Sequence, residues 1–165
     1  MANVNTDIVT NFAATPQVKN DSQQLHGSKR IAQGTIALAS GDLSASDTVM
    51  LAPVPTNASI SSIKLFNDDL DSGTTNTCDV GLWTTAVAAV DDDCYAAASQ
   101  VLRTASTDGN DLAFATRNIN LVGQKVWEDA GQSSDPGGVY YVGLIFDAAG
   151  DTAGDLSFII EYTVD

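Results

Sequence analysis

The sequence predicts an all-β fold: a β-sandwich of jelly-roll type with an extended N-terminal arm and at most one or two short helices. Strand-like runs of alanine, valine, isoleucine and leucine recur between turns rich in Gly, Asp and Ser. The acidic residues are nearly all aspartate, which favours turns, and few are the helix-favouring glutamate. A chain of 165 residues that is 44% apolar is long enough for one domain with a single core.

The strand-like runs begin at residue 30 and predict seven or eight short strands. VYYVGLIFD, residues 139–147, is apolar on both faces, as expected of a buried central strand. The last run alternates, so that Leu156, Phe158, Ile160, Tyr162 and Val164 share one face. In chain order the runs are RIAQGTIALA, TVMLAP, ASISSIKLF, TCDVGLWTT, VYYVGLIFD and DLSFIIEYTVD.

The segments between these runs are harder to assign. DDDCYAAASQVLRTA, residues 91–105, predicts a short helix, because its aspartates suit a helix N-terminus and its alanines favour helix. NLVGQKVWEDAGQ, residues 120–132, predicts a second short helix or an edge segment. For GQSSDPGGVYY, residues 131–141, a tight turn and a subunit-contacting loop both remain open. DAAGDTAGD, residues 147–155, predicts a long hairpin connection.

Residues 1–29 form a predicted extended arm, separate from a β-sandwich body at residues 30–165. Residues 1–30 carry three basic and two acidic residues, whereas residues 31–165 carry four basic and nineteen acidic residues. The arm has no sustained periodicity and cannot form a core alone, so we expect it to contact a neighbouring subunit. The side chains expected to bind a partner are Val18, Lys19, Leu25, His26, Lys29 and Arg30.

The charge and the apolar pattern make several partners poor candidates. A formal net charge of −14 repels nucleic acid and anionic lipid, so we expect neither as a partner. The first residues have no basic region followed by an apolar region, so no secretory signal is expected. No apolar run approaches the roughly 20 residues that span a bilayer.

Catalysis and cofactor binding are not expected from the residue inventory. The one histidine, His26, lies in the arm, whereas a catalytic triad needs a rigidly oriented base and a zinc site needs several His or Cys ligands. Trp83 and Trp127 are expected in the core. Cys78 and Cys94 fit two buried, reduced thiols, although their spacing leaves a disulfide open.

NDDLDSG, residues 67–73, predicts a turn, with a calcium site at Asp68, Asp69 and Asp71 as the weaker alternative. An EF-hand loop that begins at residue 67 would need glycine at its sixth position and glutamate at its twelfth. The sequence has Ser72 and Cys78 there, so two defining positions fail.

Several stretches resemble small virion structural proteins of tailed bacteriophages, most closely those that decorate or cement the capsid. The specific pieces are NDDLDSG, DVGLW and WEDAGQSSDPGG, and the similarity covers most of residues 30–165. The resemblance implies a jelly-roll protein without catalytic residues. It also implies a homo-oligomer, commonly a trimer near the capsid three-fold positions, whose arms reach across coat subunits.

From this resemblance we expect a chain made in the host cytoplasm that binds the major capsid protein on the capsid surface. The alternative is a small β-sandwich module of the tail, collar or fibre base that binds carbohydrate or a receptor. The two differ in copy number, because a cement protein covers the shell and a tail module does not.

Overall fold

The computed structural model describes residues 4–22 and 25–164 of the chain and is mostly β. Two short α-helices, α1 at Asp7–Ala13 and α2 at Val126–Asp129, accompany the strands in the described ranges. The strands are β1 Lys29–Leu38, β2 Thr48–Pro55, β3 Ala58–Asn67, β4 Thr77–Trp83, β5 Ala89–Ser99, β6 Ser106–Asp111, β7 Val139–Ala148 and β8 Gly154–Val164.

The eight strands form two four-stranded sheets with the connectivity of a jelly roll. One sheet has the order β1-β8-β3-β6 and the other the order β2-β7-β4-β5. Every pairing between neighbouring strands is antiparallel. The predicted fold class is therefore confirmed, together with the number of strands and the limit of two short helices, although α1 lies where no helix was predicted.

The core lies between the sheets, whose inner strands are β8 and β3 in one sheet and β7 and β4 in the other. The prediction of β7 as a central strand is confirmed. In β8 the predicted alternation is also confirmed, since Leu156, Phe158 and Ile160 are buried. Tyr162 and Val164 pack against the same core while remaining partly exposed.

The helix predicted within residues 91–105 is wrong, because most of that segment is strand β5, followed by a single 3-10 turn at Val101–Arg103. The strand pairs antiparallel with β4, and Tyr95 and Ala96 are fully buried. Helix propensity is a weak preference that burial and sheet pairing override.

Strand β5 contains a bulge where it passes Gly81 of β4. From the Val80–Ala96 pair to the Leu82–Asp91 pair, β4 advances two residues while β5 advances five. The extra residues bring the β5 backbone so close that a Cβ on Gly81 would lie 2.2 Å from the Asp91 carbonyl oxygen. Glycine in the DVGLW stretch is therefore required by a close approach of backbone.

The strand registers define two ends of the sandwich. Lys29 pairs with Thr163 and Ala58 pairs with Val164, so the arm enters where β8 finishes and β3 starts. We call this the arm end, and its connections are residues 56–57, 84–88 and 112–138. The far end carries the connections 39–47, 68–76, 100–105 and 149–153.

The connection between β7 and β8 is not the predicted hairpin, since these two strands belong to different sheets. Residues 149–153 cross from one sheet to the other and are held by hydrogen bonds. The Gly150 amide donates to the Leu43 carbonyl at 2.9 Å, and the Asp151 amide donates to the Leu70 carbonyl at 3.2 Å. Three connections that are far apart in sequence, 39–47, 68–76 and 149–153, thus meet at the far end.

Both cysteines are free thiols, with Cys78 buried and Cys94 half-buried. Burial raises the pKa of Cys78 to about 12 and also raises that of Cys94, so both thiols stay protonated at neutral pH. Trp83 is buried as predicted, whereas Trp127 is only half-buried on α2, which corrects its expected place in the core. No helix within the described ranges is long and apolar enough to cross a membrane.

Candidate partner-binding site

The arm contains a short helix and folds back on itself, so it is not extended throughout. Helix α1 is capped by Thr6, whose hydroxyl oxygen accepts from the Val9 amide at 3.4 Å, and none of its residues is buried. The side chain of Asn20 donates to the Ile8 carbonyl at 3.0 Å and accepts from the Asn11 side chain at 2.9 Å. These bonds hold the turn that follows α1 against the helix.

The folded arm encloses a concavity of about 360 Å³ that gathers four of the six predicted partner-binding residues. The set is Val18, Lys19, Leu25 and His26, joined by Phe12, Gln17, Asn20 and Ser22. Phe12 is 67% exposed and was missed by the sequence reasoning, although an aromatic residue in a polar segment is a signal for binding. The concavity combines apolar side chains with a basic one.

Lys29 and Arg30, the other two predicted residues, lie outside this concavity at the start of β1. The Lys29 ammonium group forms an ion pair with Glu161 at 2.6 Å, across the β1–β8 pairing. Arg30 is exposed and stands opposite Tyr162. Lys29 thus contacts its own body, and whether either residue binds a partner stays a prediction.

The aspartates of NDDLDSG organise a loop. Asp71 is only 4% exposed, and its carboxylate accepts from the amides of Gly73, Thr75 and Asn76 at 3.3, 2.9 and 2.9 Å. Asp69 accepts from the Asp71 amide at 3.2 Å. This pattern of carboxylates binding amides a few residues ahead is typical of a structured turn.

The three candidate calcium ligands do not converge. Asp68 reaches across to accept from the Asp155 amide at 2.9 Å, while Asp71 points into its own loop. Within residues 4–22 and 25–164, no group of three or more His, Cys, Asp or Glu side chains is placed to hold a metal ion. The geometry favours the turn over the calcium site.

Replacing Asp71 by alanine is expected to lower the free energy of unfolding by about 3 kcal/mol, because hydrogen bonds to a charged acceptor contribute about 1.5–3 kcal/mol each and buried amides lose their partner. The matched control is Asp69→Ala, which removes an exposed carboxylate with one such bond and should cost about 1 kcal/mol or less. Urea unfolding at neutral pH measures both. Equal losses would contradict the central role of Asp71 in the loop.

A second group of carboxylates lies near the β5 bulge and raises its own pKa values. Burial, followed by the neighbouring carboxyl group of Asp79, raises the pKa of Asp147 to about 6. Burial and the adjacent Asp93 raise the pKa of Asp91. The contribution of the neighbouring carboxyl groups follows from like charges in proximity.

Exposed apolar side chains are concentrated in the arm and at the arm end of the body. Within the described ranges, the large hydrophobic side chains that are exposed in the arm are Val4, Val9, Phe12 and Val18. Those at or next to the arm end of the body are Ile31, Val87, Ile119, Leu121, Val122 and Val139. Ile36, further along β1, is the one remaining member of this set in the part of the chain that the structure describes.

Charge has the opposite distribution. The four connections of the far end contain Arg103 as their one basic residue, against the acids Asp42, Asp47, Asp68, Asp69, Asp71 and Asp151. The three arm-end connections are nearly balanced, with basic Arg117 and Lys125 and acidic Glu128, Asp129 and Asp135. The connections at the far end are therefore acidic, whereas the connections at the arm end are nearly neutral.

The fold is similar to those of chains in phage capsid structures. The chain matches one in the capsid of Ralstonia phage GP4 with a TM-score of 0.59 and 23% identity, over 84% of this chain and 86% of that one. It matches a chain in the capsid asymmetric unit of cyanophage Pam1 with a TM-score of 0.53 and 17% identity, over the same shares. At these identities the similarity shows a common fold. No protein-family model and no curated protein sequence matches the chain.

Proposed function

We propose that this chain is a non-enzymatic structural protein of a phage virion that binds the outside of the capsid. Its jelly-roll body and N-terminal arm cement neighbouring coat subunits. Its partners are the major capsid protein and further copies of itself, in a homotrimer. It is made in the host cytoplasm and ends on the capsid surface.

The observation that carries the proposal is the arm. It is ordered by its own hydrogen bonds, yet it exposes Val4, Phe12 and Val18 to 94%, 67% and 50%. When exposed apolar side chains bind a partner, their surface is removed from water, and this removal favours binding. A segment of this kind beside a rigid body suits a protein that bridges two others.

The fold supports the same role. The structural similarity to chains in two phage capsids supports a role for this jelly roll as a component of a virion. Because fold alone does not specify function, the arm and the surface carry the argument. Many copies on one shell add avidity to a modest individual contact.

Removing residues 1–28 is expected to abolish binding to coat shells while the body stays folded. The test is cosedimentation of the purified protein with shells assembled from the coat protein of the same phage. The strands begin at Lys29, so the truncated chain should keep the cooperative thermal unfolding of the full chain.

A point variant refines the test. Phe12→Ser should weaken shell binding at least about tenfold, because a large exposed aromatic residue is a typical binding hot spot. Ile36→Ser serves as the matched control, since Ile36 is an exposed apolar residue outside the arm. Undiminished binding by the truncated chain would refute the proposed role of the arm. A count of only a few copies per particle would favour the tail or fibre module.

A further inference from the structure

Loop 112–138 at the arm end exposes three apolar side chains within four residues. Ile119 is 76% exposed, Leu121 41% and Val122 67%. Their neighbours Asn118, Asn120 and Gly123 are uncharged. We call Ile119, Leu121 and Val122 the loop patch.

The loop patch is held in a defined conformation. The Asn118 side chain accepts from the Asn120 amide at 2.9 Å, and the Leu121 amide donates to the Asn118 carbonyl at 2.9 Å. After the patch, the Ser59 hydroxyl donates to the Gly123 carbonyl at 2.8 Å, which ties the loop to β3. Apolar side chains on such an ordered loop bind a partner at a low cost in conformational entropy.

A residue two positions before Ile119 anchors the loop to the core. Arg117 is buried, and its guanidinium group donates to Asp129 at 2.8 Å and to the Ile60 carbonyl at 3.0 Å. The loop is therefore fixed on both sides of three exposed apolar residues. Exposed apolar groups that a protein orders in this way mark an interaction surface more strongly than scattered ones do.

We infer that the loop patch is a second contact with the coat shell and docks on an uncharged, apolar surface of the coat protein. This inference rests on the proposed function. The arm enters the body at the end that carries the loop patch, so both lie near the same end of the sandwich where the chain passes into β1. The acidic far end then points away from the shell.

The charge distribution selects this orientation. The far-end connections carry six acids against one basic residue, and approach by that end would bury negative charge that has too few basic partners. Hydrogen bonds within the far-end loops already engage the carboxylates of Asp71 and Asp151. Simultaneous contact by the arm and the loop patch increases the overall affinity, because the second contact forms at high effective concentration.

The experiment compares full-length variants for binding to coat shells that lack this protein. Ile119→Ser combined with Val122→Ser is expected to weaken the apparent Kd at least about tenfold, because two apolar side chains would no longer be transferred from water into the interface. The matched control is Ile36→Ser, which should bind like the parent chain. Among the described residues, Ile36 is the one exposed large hydrophobic side chain that lies outside both the arm and the arm end. Sedimentation equilibrium of each free variant reports its oligomeric state.

Each outcome decides the inference. Weaker shell binding by the loop-patch variant, with an unchanged oligomeric state and normal thermal unfolding, supports it. If the loop-patch variant no longer oligomerises but still binds shells like the parent chain, the loop patch forms contacts between copies of this chain. That result overturns the inference. Equal binding by the loop-patch variant and the control also overturns it, while leaving the arm-based function intact. A parent chain that fails to bind shells overturns both.

Discussion

Replacing Arg117 by methionine is expected to lower the free energy of unfolding by about 3–5 kcal/mol, because it leaves a buried carboxylate without its counter-ion. The side chains of Arg117 and Asp129 are 3% and 1% exposed and form an ion pair at 2.8 Å. Asp129 also accepts from the Tyr95 hydroxyl at 3.0 Å, and the guanidinium group lies 4.2 Å from the centre of the Phe114 ring. The network joins loop 112–138, α2 and β5.

The loss caused by Arg117→Met should depend on pH. Burial raises the pKa of Asp129 to about 6, against the opposing influence of Arg117 and Tyr95. Without Arg117 that pKa rises further, and a group whose folded pKa is raised loses stability as pH increases through it. The difference from the parent chain should therefore be larger at pH 8 than at pH 5, where the carboxyl group of the variant is neutral.

Unfolding in guanidinium chloride at pH 5 and at pH 8 measures the difference in the free energy of unfolding between the variant and the parent chain. The matched control is Lys29→Met, which breaks the surface ion pair with Glu161, where the two side chains are 54% and 29% exposed. Exposed pairs contribute about 0–1 kcal/mol, so the control should change little. Equal losses in the two variants would contradict a structural role for the buried pair.

Replacing Gly81 by alanine is expected to cost about 3 kcal/mol, at the upper end of the usual cost of overpacking. The added Cβ would lie 2.2 Å from the carbonyl oxygen of Asp91 and 2.4 Å from the carbonyl carbon of Asp92. Since both are backbone atoms, no side-chain rotation relieves the contact, and the β5 bulge must move away from β4.

The matched control is Gly41→Ala, where no atom lies within 4 Å of the added Cβ. Thermal unfolding of the two variants against the parent chain measures the difference, and Gly41→Ala should keep the parent transition. A Gly81→Ala chain that unfolds at the parent temperature would show that β5 does not need this close approach. If Gly81→Ala does not fold at all, the prediction is met in its strongest form.

The candidate site could be predicted in part. The sequence identified the arm by its polarity and charge, and four of the six named side chains do line one concavity. It missed Phe12 and the loop patch, because a single aromatic residue and three apolar residues in a loop have no periodicity that separates exposed from buried. The separation of apolar and acidic ends was also not predicted, since it depends on which loops the fold brings together.

The sequence by itself determined the all-β class, most of the strands, the central position of β7 and the alternating pattern of β8. These features depend on the local alternation of apolar and polar residues and on continuous apolar runs. Both patterns are present in a strand whichever other strands it pairs with. Only the tertiary structure decided that residues 89–99 are a strand, that β7 and β8 lie in different sheets, and that Gly81 faces a bulge. Those outcomes depend on pairings between residues far apart in the chain, in which burial and backbone hydrogen bonding outweigh local preference.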